Sequence, residues 1–287
     1  LTGDNSTVNI DTNRVRLVSN QLESSIKSGV LLDISINDTT KLENSESVDV
    51  APFSGQRITN NIPPVITNRK SNSGDLSLNI VVNDNVLFSG SDLTAAGNFE
   101  LTSGTVNLDV KVTGSEFIIT KTGTTTPQLQ TGFTMKKGIT YVFDLSDGSN
   151  DDYKFAVDPS GVGANEISNT FTESDAPGTS GSTNTVIIPA TFTGTAKYIS
   201  EGANSTTDFS LTVTDKNTLK NNLSHNAGDT KSIKLDLDGG PLLSYDNLTI
   251  KYTGNAVENN RSVIDSGSNT NVKMDPEEGS ASNITIA

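Results

Sequence analysis

Two groups of carboxylates stand closest to chemistry in this chain. Asp144, Asp147, Asp151 and Asp152 fall within one short turn, and Asp236 with Asp238 stands just ahead of Gly239-Gly240. Oxygen ligands gathered in a loop suit Ca²⁺, which accepts carboxylates and backbone carbonyls in flexible geometry. Neither group has the spacing of an EF-hand loop, and Asp at a strand end is also an ordinary solvated turn residue. No other cofactor is expected. Paired carboxylates could equally serve glycoside hydrolysis. A hydrolase cleft, however, displays Trp or Tyr to stack on sugar rings, and the chain has no Trp and 5 Tyr.

The remaining catalytic residue types are sparse. The single histidine, His225, sits in the polar run Asn221-Asn222-Leu223-Ser224-His225-Asn226-Ala227-Gly228 and reads as a surface side chain rather than a ligand or a base. A serine nucleophile would need a base with a recognisable partner pattern, which is missing. There is no Gly-Lys-Ser/Thr phosphate loop and no Rossmann glycine fingerprint. Zero cysteines remove disulfides, zinc-thiolate sites and thiol nucleophiles together. The expectation is that the protein is not an enzyme.

Composition narrows the partners. The 287 residues carry 20 basic against 34 acidic side chains, a formal charge of −14, with no Lys/Arg cluster. No nucleic-acid partner is expected, because phosphate contacts need positive charge. No apolar stretch approaches the ~20 residues needed to span a bilayer, so no membrane insertion is expected. Hydrophobic residues make up 32% and charged residues 19%. The polarity therefore comes from Asn, Ser, Thr, Asp and Gly, a mixture that favours strands with many turns.

Periodicity then places the elements. Val15, Val18, Leu22 and Ile26 recur at helical spacing over Asn13 to Ser28, followed by Gly29 as a C-terminal cap, and predict one short N-terminal helix. Val30 to Ile36 reads as a strand, and Ser47 to Val65, with Pro63-Pro64, as an extended segment lying either across a neighbour or as a loop. Leu76, Leu78, Ile80 and Val82 alternate with polar residues, as do Val106, Leu108, Val110 and Val112, which marks half-buried strands. Asp215 to Thr230 reads as a polar linker or a short capped helical turn. Ile233, Leu235 and Leu237 form a further strand, as does Leu248 to Tyr252. The Asn/Ser/Gly-rich tail carries short strands at Ser262 to Ile264 and Asn283 to Ile286.

One stretch carries more than periodicity. GITYVFDLSDGSN at Gly138 to Asn150, then Phe155, then APGTSGSTNTVIIPATFTGTAKYI at Ala176 to Ile199 give a fixed order: glycine, aromatic strand, Ser-Asp-x-Ser-Asn turn, Pro-Gly loop, Ile-Ile-Pro strand and Tyr strand. In that order the stretch resembles the cupredoxin-like modules of structural proteins in marine cyanophages and related tailed phages. The likeness covers about 100 residues, a usual size for one sandwich. It implies copper ligands after the Ser-Asn turn and after the Tyr strand, since trigonal His₂Cys ligation holds that metal. This chain instead has Asp151, Asp152 and Tyr153 at the first place, and Ile199, Ser200, Glu201 and Gly202 at the second.

These readings combine into an all-β fold of tandem antiparallel β-sandwich domains, one of them cupredoxin-like with its copper ligands lost, plus the N-terminal helix. The expected divisions are 1–73, the helix with an extended/β assembly segment; 74–114, a small β-domain; 115–214, the cupredoxin-like sandwich; and 215–287, a C-terminal β segment with a polar tail. The resemblance implies a virion structural protein in the tail, baseplate or tail fibre. It would work by assembly as a homo-oligomer with other virion structural proteins, and by host adhesion to a cell-surface receptor or glycan. The alternative is a secreted, extracellular cell-surface or S-layer-like adhesin with Ca²⁺-binding loops.

Overall fold

A computed structural model describes residues 7–11, 14–18, 33–36, 53–57, 63–114, 116–125, 127–128, 133–151, 153–158, 171–193, 196–201, 209–259 and 271–287. These residues form an all-β structure of several sheets, as expected. At the N-terminal side, Thr7–Asp11 (β1) pairs antiparallel with Arg14–Val18 (β2), from Thr7 opposite Val18 to Asp11 opposite Arg14. This corrects the helix expected from Asn13, the remainder of which lies outside the described residues. Val8 and Ile10, then Val15 and Leu17, alternate with polar residues, and β-branched side chains favour the pleated conformation over the helical one. Asp33–Ile36 (β3) pairs with Phe53–Arg57 (β4).

From residue 63 the chain builds one unit, leaves it to build a second, and returns. The outward path runs through Ile66–Ser71 (β5), Ser77–Val82 (β6), Val86–Phe88 (β7), the single helical turn Ala95–Asn98 (α1) and Phe99–Ser103 (β8). The second unit comprises Val106–Thr113 (β9), Glu116–Lys121 (β10), Pro127–Gln128 (β11), Thr134–Lys136 (β12), Thr140–Asp144 (β13), Lys154–Asp158 (β14), Phe171–Glu173 (β15), Thr183–Ile187 (β16), Ala196–Glu201 (β17) and Phe209–Thr214 (β18). The return path runs through Thr218–Leu219 (β19), Ser224–Asn226 (β20), Asp229–Asp238 (β21), Leu248–Tyr252 (β22), Val257–Asn259 (β23), Ser282–Asn283 (β24) and Thr285–Ile286 (β25).

Strand pairing fixes this nesting. β6 pairs with β21, Ile80 opposite Ile233 and Leu78 opposite Leu235, while β8 pairs with β22 and β7 with β23. The block expected as a small domain at 74–114 is therefore divided. Its first half joins the 215–287 segment, and β9 lies in the other unit beside β10 and β13. The units are nested where tandem ones were expected. The polar stretch 215–230 holds the short strands β19 and β20 against β21, without a helical turn.

Each unit has its own core. In the outer one Leu78, Ile80 and Val82 of β6 and Ile233, Leu235 and Leu237 of β21 face Phe99, Leu248, Ile250 and Tyr252 from the β24-β22-β8 sheet. Leu76, expected on the same buried stripe, is 54% exposed. In the inserted unit the sheet β11-β10-β9-β13-β16-β15 and the sheet β12-β18-β17-β14 contribute to one core. Leu108, Phe117, Ile119, Tyr141, Phe143 and Val186 come from the first, and Met135, Phe155 and Leu211 from the second. This is a β-sandwich, mostly antiparallel but with parallel pairs β9/β13 and β12/β18. Phe143 and Phe155 meet across it at 4.7 Å between ring centroids, and Phe117 meets Phe155 edge-on at 5.1 Å. Such aromatic pairs add specific geometry to the area they bury.

Buried asparagines replace turn chemistry with structure at several points. The fully enclosed Asn98 donates from Nδ2 to the Asp92 and Thr94 carbonyls at 3.0 and 2.9 Å, and its Oδ1 accepts the Asn255 and Ala256 N–H groups at 3.1 and 3.0 Å. One side chain thus ties α1 to the turn after β22 and satisfies four backbone groups that would be costly to bury unpaired.

Candidate functional site

The Asp144–Asp151 turn closes one end of the inserted sandwich, and the carboxylates of Asp144 and Asp147 are engaged in holding it. Asp144 ends β13, and its Oδ1 accepts the Ser146 N–H at 2.8 Å. Asp147 caps the 3-10 turn Gly148–Asn150, its Oδ1 accepting the Ser149 N–H at 3.0 Å, and its Oδ2 lies 2.9 Å from Lys111 Nζ of β9. The Lys111 hydrogen bond and then those from Ser149 lower the Asp147 pKa to about 2. Ser149 Oγ accepts the Val112 N–H at 3.0 Å, and the fully buried Asn150 donates to the Val110 carbonyl at 2.7 Å, so the turn is stitched along β9. The facing loop packs close. A Cβ on Gly178, whose φ is +82°, would lie 2.9 Å from the Asp151 amide nitrogen.

Beside this turn is a shallow hollow of about 240 Å³ lined by Asp109, Lys111, Asp144 and Asp147. Asp151 is exposed, and Asp152 lies outside the described residues. The second expected group sits elsewhere, on β21 of the outer unit. Asp236 accepts a hydrogen bond from Asn222 at 2.9 Å and pairs with Lys234 at 2.9 Å, which together lower its pKa. Asp238 is exposed, 3.6 Å from Lys220. The two groups are thus not brought together, and among the described residues no three His, Cys, Asp or Glu side chains converge as a metal cluster. Lysine partners explain the arrangement, because an ammonium competes for the same carboxylate oxygens that a cation would need.

At the positions where the resemblance implies copper ligands, Tyr153 is half-buried with its ring edge-on to Phe117 at 6.4 Å. Residues 199–201 lie in β17, paired with β14, and Gly202 is outside the described residues. His225 stands on β20, half-buried and stacked on Phe88 at 4.6 Å, with Nδ1 2.7 Å from the Ser232 carbonyl oxygen.

A buried pair of opposite charges lies where the two units join, and the sequence offered no motif for it. The outward crossing at Gly104-Thr105 is held by Asn247: Gly104 N–H donates to the Asn247 carbonyl at 2.8 Å, and Asn247 Nδ2 donates to the Thr105 carbonyl at 2.9 Å. The return crossing at Asp215 to Asn217 is held by Gly239-Gly240. Gly240 N–H donates to the Asp215 carbonyl at 3.1 Å, and Asn217 Nδ2 donates to the Gly240 carbonyl at 2.6 Å. Here the glycine pair has its reason, since a Cβ on Gly239 (φ +94°) would lie 2.4 Å from the Lys216 carbonyl oxygen, and one on Gly240 2.4 Å from Thr214 Oγ1.

Between these two clamps the segment from Gly239 to Asn247 enters both cores. Leu242 is buried in the outer core. Tyr245 is 3% exposed in the inserted core, stacked on Phe133 at 5.3 Å, its hydroxyl accepting the Thr134 N–H at 3.0 Å and donating to the Thr134 carbonyl at 2.7 Å. Asp246 pairs with Lys136 of β12, and Lys136 also donates to Asn217 Oδ1. All three are buried, at 6%, 2% and 4% exposure. An open hollow of about 430 Å³ adjoins this junction, lined among others by Phe99, Ser103, Ile139, Lys216 and Asn217. No protein-family model, curated protein or solved structure matches the chain.

Proposed function

We propose that the chain is a structural protein of a tailed-phage virion, a component of the tail, baseplate or fibre, acting by assembly with copies of itself and with other virion proteins and by contact of exposed loops with the host surface. The observation that carries this reading is the ordered likeness at Gly138 to Ile199 to cupredoxin-like virion modules, with Asp, Tyr, Ile, Ser and Glu where copper ligands would stand. Two features of the fold support it. Lys111 and Asp147 pair with each other at the module's end turn, and the segment from Gly239 to Asn247 is hydrogen-bonded to both crossings between the nested units. Such a two-unit body presents outer strands, among them β15 and β25, which are the last in their sheets among the described residues and offer an edge to a neighbouring subunit.

The test is sedimentation of the purified chain over a wide concentration range, with electron microscopy of the same samples and labelling of particles from the source phage. Symmetric oligomers, or label on the tail apparatus, are expected. A strict monomer at every concentration that is also absent from particles would overturn the assembly role.

A further inference from the structure

An amine, an amide and a carboxyl group meet out of water at the junction. Lys136 Nζ contacts both Asn217 Oδ1 and Asp246 Oδ2, and its side chain is 2% exposed beside 5% for Asp246. The surroundings are protein: Tyr141 is fully buried with its hydroxyl accepting the Lys136 N–H at 2.7 Å, and Phe133 and Tyr245 pack above the same strand. Burying a charged pair carries a large desolvation penalty, and moving one proton between two touching atoms converts ammonium and carboxylate into amine and carboxylic acid. Burial acts in that direction on both partners, lowering the Lys136 pKa and raising that of Asp246.

A neutral lysine amine is a nucleophile. Its nearest electrophile is the Asn217 amide, whose Cγ is one C=O bond, about 1.23 Å, beyond the oxygen it already touches. That amide is held in orientation by its Nδ2 donating to the Gly240 carbonyl at 2.6 Å, and the carboxyl is held by the Leu243 N–H at 2.9 Å. Fixed neighbours of this kind convert a slow bimolecular aminolysis into an intramolecular one and remove the entropic cost of bringing the reactants together.

We propose that Lys136 and Asn217 condense into an intramolecular isopeptide bond, with Asp246 carrying the protons. The Nζ–Cγ bond forms and the Cγ–Nδ2 bond breaks, its electron pair leaving with the nitrogen. Of the three ammonium protons of Lys136, one remains as the new amide N–H. The other two pass through Asp246 to the departing nitrogen, which leaves as ammonium and returns Asp246 to its carboxylate. No oxidant, reductant or further reactant is needed.

The bond closes a ring whose ends are 81 residues apart and which contains β13 to β18. It joins β12 to the return crossing just beyond β18, its parallel neighbour, where Lys136 already stands opposite Thr214. In a chain without cysteine it does what a disulfide does elsewhere, restricting the unfolded ensemble. It holds whether or not the protein belongs to a virion.

The test is intact-mass measurement of the folded full chain after prolonged incubation at neutral pH, followed by proteolysis and peptide sequencing. The expected result is a mass lower than the sequence mass by one ammonia in essentially every molecule, with one cross-linked peptide pair joining Lys136 to Asn217. Asp246→Asn, with circular dichroism showing the same fold, is expected to keep the full mass. An unshifted wild-type mass with separate Lys136 and Asn217 peptides overturns the proposal, as does loss of water with the link at Asp246. Ammonia loss that persists undiminished in the Asp246→Asn protein overturns the proton-carrying role of Asp246.

Discussion

Tyr245, with Leu243 beside it, carries the outer unit into the core of the inserted one, so its truncation should separate the stabilities of the two. The side chain is 3% exposed, stacks on Phe133 and exchanges two hydrogen bonds with the backbone of Thr134. Replacing a buried aromatic by Ala removes its transfer energy and leaves a cavity, about 3 to 5 kcal/mol together. Tyr245→Phe isolates the hydroxyl. Thr134 is itself half-buried, so water can replace one of the two lost partners, and the cost falls near the lower end of the range for such bonds, about 1 kcal/mol. Tyr245→Ala should therefore lower the melting midpoint by about 10 °C and Tyr245→Phe by about 3 °C, at the few degrees per kcal/mol appropriate to a chain of this size. Hydrogen exchange read by mass spectrometry supplies the second observable, because it reports opening segment by segment. In the Ala variant, peptides covering β12, β13 and β16 should exchange faster while those covering β6 and β21 keep their protection. A loss below about 1 kcal/mol in Tyr245→Ala, or an equal loss of protection in both units, would refute the view that this residue couples them.

The Lys111–Asp147 pair should show in a titration of the carboxyl groups by NMR, where Asp147 titrates with a midpoint of about 2 and Lys111→Met moves it up toward the ordinary 3.8. Since the folded-state pKa is the depressed one, this pair's contribution is present above pH 4 and is lost as the pH falls toward 2. With Lys111 holding the carboxylate, millimolar Ca²⁺ should leave both that midpoint and the thermal melt unmoved, and a rise in the melt would mean that metal displaces the lysine. Gly239→Ala should cost about 2 kcal/mol or more in chemical denaturation, because strain at positive φ adds to a clash with the Lys216 carbonyl. Gly74→Ala, with a similar φ of +93° but open space around the position, should cost about 1 kcal/mol, and equal losses at the two sites would show that the close approach is unimportant.

Strands with a clear two-residue alternation were legible in the sequence. Leu78, Ile80 and Val82, Val106, Leu108 and Val110, and Ile233, Leu235 and Leu237 are buried on one face each, as their spacing requires. Their partners were not legible. Alternation says which face of a strand is wet but not which distant strand lies beside it, and β6 finds β21 across more than half the chain. The nested layout was hidden for that reason. At Arg14–Val18 the failure was of another kind, since five residues with Val15, Leu17 and Val18 satisfy helical and strand spacing alike and only the preceding Val8 and Ile10 decide for the hairpin.

The candidate site divides similarly. Asp144, at the end of β13, and Asp147 and Asp151, in the turn after it, are close in sequence and so could be read together, but the Lys111 that occupies Asp147 comes from a different strand. At the junction, Lys136, Asn217 and Asp246 come from three distant segments, and in a chain so rich in Asn and Asp nothing distinguishes a buried Asn or Asp from a turn residue. The one available signal was the glycine pair Gly239-Gly240 that follows Asp236 and Asp238. Its close packing against Thr214 and Lys216 shows where two segments must touch.

The parallel pairing of β5 with β25 has a mechanical consequence. Thr285 lies opposite Lys70 and Ile286 opposite Ser71, and the Ala287 N–H and carbonyl bond to the Ser71 carbonyl and the Ser73 N–H at 3.0 and 2.8 Å. Tension applied between Ile66 and Ala287 pulls these two strands in opposite directions along their length. The bonds are then loaded in shear, all at once, instead of being peeled open one after another. The inserted sandwich, entered and left at neighbouring points on the outer unit, lies off that line of force. Under tension the outer unit bears the load, and the module within it stays folded until β5 and β25 have parted.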